Sequence, residues 1–200
     1  MREFFYEESA LTQNEKSAKL KFYTFKSISI ISYILMVLWV FIVIYGYQFS
    51  ENIFVDLIIV LIPFIIFLLS GIFLGKFKNK FYVDYDYTLV SDSLRFSKVI
   101  KNIKRKFIIK FNVNDIEKIG EYGCGLYNKY ESMPGINKLI LTSNSIPADG
   151  KDFYYLVANV EGDKKLLVLE SSQTLIVNIM KFANKTILDE EYVKKLSSKK

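Results

Sequence analysis

The sequence predicts a chain in two parts. The first is a membrane α-helical hairpin of two transmembrane helices. The second is a cytoplasmic α+β, mainly β domain, in which about seven antiparallel strands form a sheet or barrel with a C-terminal helix. Three observations predict this. The chain carries 27 Lys+Arg in 200 residues, yet none lies between Lys26 and Lys76. From Lys80 onward the apolar residues recur with a period of two, as in half-buried strands. After Ser172 the period becomes helical, with one apolar stripe.

The N-terminal segment, residues 1–26, is charged on both signs and is expected to be cytoplasmic. Residues 27–75 then form the hairpin. About 20 apolar residues cross a hydrocarbon layer of roughly 30 Å. Both 27–49 (SISIISYILMVLWVFIVIYGYQF) and 53–75 (IFVDLIIVLIPFIIFLLSGIFLG) meet that length. The first run is too long for the core of a signal peptide. No small-residue cleavage site follows it, and Glu3, Glu7, Glu8 and Glu15 precede it, so it reads as a retained helix. Lys16, Lys19, Lys21 and Lys26 stand before the first span, and Lys76, Lys78 and Lys80 after the second. Flanking positive charge stays inside, which predicts a multi-pass protein of the cell membrane with both termini cytoplasmic and the loop at about Gln48–Asn52 outside. Tyr45, Tyr47 and Phe49 supply aromatic residues for the outer interface. Asp56 reads as an interfacial carboxylate still reached by water. Pro63 predicts a kink. Gly71 and Gly75, in GIFLG, have the spacing that lets helices approach closely, within the hairpin or in an oligomer.

Residues 76–188 form the predicted domain. In KFYVDYDYTLV, one face is Phe81, Val83, Tyr85, Tyr87 and Leu89. The other is Tyr82, Asp84, Asp86 and Thr88. The turn at 91–93 leads to a second strand with Leu94 and Phe96. A charged connection leads to a third at 106–113, and a short fourth covers 115–120. The glycine-rich stretch 121–135 reads as a long loop. Strands at 136–143, 152–160 and 165–171 follow, the last two as a hairpin. The helix begins at Ser172 as a serine cap. It turns Leu175, Ile176, Ile179, Met180 and Ala183 to the core and Asn178, Lys181 and Lys185 to water. Residues 189–200 read as a charged tail.

This order resembles the pleckstrin-homology-like superfold, and in detail the bacterial pleckstrin-homology-like domains that follow membrane helices. The resemblance rests on YTLVSDSLRF (87–96), NVNDIEKIG (112–120) and the helix Ser172–Lys185, and it covers residues 80–188. The lysine-, asparagine- and isoleucine-rich usage agrees with a bacterial chain of AT-rich coding. The resemblance implies a fold and a binding or scaffolding role, and it implies no catalytic residue. The stretch 120–135 departs from the compact pattern of the family.

Composition narrows the chemistry. There is no histidine, which removes the commonest general base and zinc ligand. The single cysteine, Cys124, excludes an intrachain disulfide and, without a basic partner, reads as an inert or redox-sensitive thiol. Asp84, Asp86 and Asp92 lack the pattern of a calcium loop and read as a solvated face. The tyrosines of the strands read as core and cross-strand pairs rather than as a stacking surface for bases, so no nucleic-acid partner is expected. No cofactor, metal site or catalytic residue is predicted.

One feature stands above this background. The residues from Lys76 onward hold 22 Lys+Arg and 15 Asp+Glu, a net of +7, against +6 for the whole chain. Lys98, Lys101, Lys104, Arg105, Lys106 and Lys110 fall within a few turns of chain. They read either as a solvated hairpin rim or as contacts to an anionic membrane surface. The expected function is a membrane-anchored interaction module, not an enzyme, that displays its domain at the cytoplasmic face to anionic lipid headgroups or to a protein partner. The alternative is an accessory subunit of a transporter or envelope complex whose transmembrane helices carry recognition, with possible oligomers through those helices.

Overall fold

The computed structural model describes residues 4–48, 51–101, 103–184 and 186–198. The chain folds as two units, and one is inserted into the other. Residues up to Gln13 join Val83 and everything after it, while Asn14–Tyr82 form a unit of their own.

The inserted unit holds two helices, α1 (Glu15–Gly46) and α2 (Ile53–Phe77). The Asn14 side chain accepts from the Ser17 N–H at 3.0 Å and so caps α1. Helix α1 therefore starts well before the apolar run and takes up much of the expected N-terminal segment. Both helices are long and apolar enough to cross a membrane, with only 11% and 6% of their apolar windows buried. The core helix of a soluble protein would be mostly covered.

The close approach expected of GIFLG is made inside the hairpin. A Cβ at Gly71 would lie 2.8 Å from the Tyr33 ring, and one at Gly75 would lie 3.2 Å from Ser29 Oγ. Ser29 donates to the Gly71 carbonyl at 2.8 Å. Trp39 Nε1 donates to the Val60 carbonyl at 3.1 Å, in the turn that Pro63 disturbs. Asp56 is less open to water than expected. It is buried, and the Tyr47 hydroxyl donates to it at 2.8 Å. Phe49, Ser50, Asn102 and Lys185 lie outside the described residues, so the last residue of the first span and part of the outer loop do too.

The other unit holds two four-stranded sheets. The first has the order β1 (Phe5–Ala10), β2 (Val83–Val90), β3 (Ser93–Ile100), β4 (Lys104–Asn112) and is antiparallel throughout. The second is built from β5 (Ile116–Glu121), β6 (Asn137–Ile140), β7 (Asp152–Val160) and β8 (Asp163–Ser171), in the order β5-β7-β8-β6. The expected seven antiparallel strands are thus eight, in two sheets, and β6 runs parallel to β8. The additional strand is β1, whose partner β2 comes after the whole helical hairpin.

Tyr87, Leu89, Leu94 and Phe96 of the first sheet meet Leu156, Leu167 and Leu169 of the second in one core. Helix α4 (Gln173–Phe182) packs on it through Leu175, Ile176 and Ile179. Two positions of α4 differ from the expected stripe: Asn178 is buried, and Met180 is exposed. Ser172 occupies the cap position, but its hydroxyl makes no cap bond. It lies 3.0 Å from Glu8 instead.

The stretch expected to be a long loop contains helix α3 (Gly125–Glu131), which covers the outer face of the second sheet. That second layer explains why Tyr154 to Ala158 are buried without alternation. Nor is the expected tail free. Asp189 caps α5 (Glu190–Ser198) by accepting from the Glu191 N–H at 3.1 Å, and Tyr192 is buried in the main core.

Candidate functional site

The basic residues singled out from the sequence lie on the β3–β4 hairpin, and the register sorts them. Ile100 pairs with Val83 and Lys104, and Lys98 pairs with Tyr85 and Lys106. On the other side of β2, Ala10 pairs with Tyr85. The hairpin tip, with Lys101 and Lys104, therefore occupies the end of the sheet where the chain leaves after Ala10 and returns at Val83. Lys101 holds a positive φ of 57°, which makes the tight reversal. Ile103 at the tip is 78% exposed, and Lys104 and Lys106 are exposed too. Lys98 and Lys106 stand directly opposite each other in register.

Arg105 and Lys110 do not belong to that end cluster. Side chains alternate between faces along a strand. Arg105 lies on the outer face of the first sheet, 3.0 Å from Asp86 and 3.3 Å from Glu7. Lys110 lies farther along that face, paired in register with Arg95. A concavity of about 490 Å³ covers this face. Phe5 and Phe107 are exposed beside it, and the Arg95 guanidinium stands 5.5 Å from the Phe107 ring centroid.

Of the acids expected to be solvated, Asp92 is exposed, but Asp84 and Asp86 are structural. Asp84 and Asp86 are both buried. Asp84 accepts from the Thr12 N–H at 2.7 Å, and Asp86 accepts from the Ser9 hydroxyl at 2.6 Å. Glu8 accepts from the Ser172 N–H at 2.8 Å and forms an ion pair with Lys151 at 3.1 Å. All of these depend on the N-terminal segment, on β1 or on Thr12 just after it. FYEESA carries no clean period of two, and so short a run before a membrane span does not reveal its partner.

Cys124 sits at the N-terminus of α3. Its thiol donates to Asp189 at 3.3 Å, and the Tyr155 hydroxyl donates to the same oxygen at 2.9 Å. Burial, with the Asp189 carboxylate beside it, pushes the Cys124 thiol up from its ordinary pKa, which favours its protonated, less nucleophilic form. Burial likewise raises Tyr155. Among the described residues, Cys124, Asp189 and Glu191 form the one group whose donors lie within reach of a common cation. The oxygens of Asp189 are already engaged by Tyr155, Cys124 and the Glu191 N–H, the last of which caps α5. The tyrosines are core: Tyr87, Tyr154 and Tyr155 are fully buried, and Tyr87 donates to the Leu141 carbonyl.

Comparison with known proteins gives one match. The model of a family described as bacterial PH-like domain (DUF6106) covers residues 11–189. No curated protein and no solved structure matches the chain.

Proposed function

The chain belongs to the bacterial PH-like domain family, and on that premise we propose that it is a membrane-anchored interaction module displayed at the cytoplasmic face. One observation carries this reading. The two long apolar helices are inserted between β1 and β2, so the domain is tied to them at two points rather than one. Both points fall at the same end of the first sheet, beside the β3–β4 tip. An anchor of this kind brings Lys98, Lys101, Lys104 and Lys106 toward an anionic leaflet, with Ile103 available to enter the interface. Each such cation contributes about 1 kcal/mol near the surface. The absence of Lys and Arg from the span-and-loop region supports a cytoplasmic domain. A PH-like family, a chain without histidine and a thiol that favours its protonated form support binding rather than catalysis.

Recognition through the helices has less support, because Gly71 and Gly75 are already filled by Tyr33 and Ser29. Replacing both spans by an unrelated helical hairpin should therefore preserve function. Topology is tested in intact cells with an impermeant maleimide. A cysteine replacing Glu51, in a Cys124→Ser background, should be labelled from outside, while native Cys124 should be reached only after permeabilisation. External labelling of Cys124 would invert the arrangement. Release of the protein by alkaline carbonate would remove the anchor.

A further inference from the structure

We propose that the outer face of the first sheet docks an acidic peptide segment of a partner protein, with Arg95 and Lys110 as its anion contacts. The inference goes beyond membrane anchoring, and only its preference for a peptide over a lipid surface rests on that reading. Arg95 and Lys110 stand directly opposite each other in register, and both are exposed. Like charges so placed oppose each other. The two acids of the face do not relieve them, because Glu7 and Asp86 are both engaged by Arg105. Among the described residues no carboxylate forms an ion pair with either cation. The face thus presents a positive pair without an ion-pair partner beside an Arg105–Glu7–Asp86 cluster of net charge −1, so the face as a whole stays positive.

Shape and apolar area point to a peptide. The concavity of about 490 Å³ accepts several side chains rather than a single ion. Phe5 and Phe107, 63% and 52% exposed, offer apolar contact beside the cations. The lipid surface is the weaker candidate here. Arg95 pairs with Thr88, five residues up β2 from Val83, which is about 17 Å along the strand. The field of an anionic leaflet decays over roughly 8 Å at physiological salt.

The test uses the full chain in phosphatidylcholine nanodiscs, titrated with a fluorescent peptide of alternating glutamate and phenylalanine. We expect saturable binding that weakens with salt. Arg95→Gln with Lys110→Gln should lower affinity at least about tenfold, the loss of a charge-assisted contact. Phe107→Ser should also weaken it, whereas Lys104→Gln with Lys106→Gln should not. Arg95→Glu with Lys110→Glu should reverse the preference toward a peptide of alternating lysine and phenylalanine. No saturable binding at low salt, unchanged affinity in the double Gln variant, or equal loss in the tip variant would overturn the proposal. So would displacement of the peptide by phosphatidylserine vesicles, which would assign the face to lipid. The tip variant serves separately to test contact with the leaflet.

Discussion

Asp86 shows where residue-level reading stops. Alternation along β2 correctly places Tyr87 and Leu89 inside. It also places Asp84 and Asp86 on the opposite face, and a carboxylate there reads as solvated. Both are buried because Ser9, Thr12 and Arg105 bring donors to them, and two of those donors come from the N-terminal segment more than seventy residues earlier in the chain. Hydrophobic period carries no information about such partners. Cys124 shows the same limit: its loop could be read, but Asp189, which holds its proton, could not. The consequence is measurable. The thiol lies above its ordinary pKa because of burial first and Asp189 next. At pH 8 native Cys124 should react with iodoacetamide more slowly than a free cysteine, and Asp189→Asn should speed it, because asparagine can still cap α5 but carries no charge. The folded thiol titrates above the unfolded one. Its contribution to stability is therefore complete below an ordinary thiol pKa of about 8.5 and is lost as pH rises through the folded value. Reaction as fast as that of a free thiol at pH 8 would show that Cys124 is not held as described.

At the scale of elements, long periodic segments were legible and short ones were not. The hairpin β7–β8 was placed within two residues because DFYYLVANV and KLLVLES are strongly β-forming around a Glu161-Gly162 turn with positive φ at both positions. Helices α3 and α5 were read as loop and tail, since seven and nine residues give few turns of period and both are held by tertiary contacts. The parallel strand β6 was read as antiparallel because nothing in four residues reveals direction. In α4 the stripe was correct at Leu175, Ile176 and Ile179 but rotated at Asn178 and Met180. Ile179→Asp places a charge in the main core and forfeits about 1.5–3 kcal/mol of burial before the cost of that charge is added. It should abolish cooperative unfolding of the domain. Lys181 is exposed and donates within its own helix, to Asn178 at 3.0 Å. Lys181→Asp should therefore shift the denaturant midpoint little. Equal effects of the two changes would mean that α4 does not pack through this face.

At the scale of the molecule, the apolar runs announced the hairpin, but the sequence did not show that it interrupts the domain. A span between two strands reads as a boundary, and the pairing of β1 with β2 is a long-range fact without local signal. The consequence is that residues 80–200 alone lack an edge strand, the Glu8 contacts to Ser172 and the partners of Asp84 and Asp86. The two junctions are close, because the Thr12 hydroxyl donates to the Val83 carbonyl at 2.7 Å. A chain in which a short Gly-Ser linker joins Gln13 directly to Val83 should therefore be soluble and unfold cooperatively, whereas residues 80–200 should not. This linked domain then isolates the basic tip from the anchor. It should co-sediment with phosphatidylserine vesicles, lose binding as salt rises and lose most of it when Lys101, Lys104 and Lys106 become Glu. The three cations together contribute about 3 kcal/mol, roughly a hundredfold in affinity. Lys110→Glu, well away from the tip along β4, should change vesicle binding little. If the linked domain folds but ignores anionic vesicles at low salt, the hairpin tip is a solvated rim. The anchor then serves only to hold the domain, and the outer face of the first sheet, at the membrane.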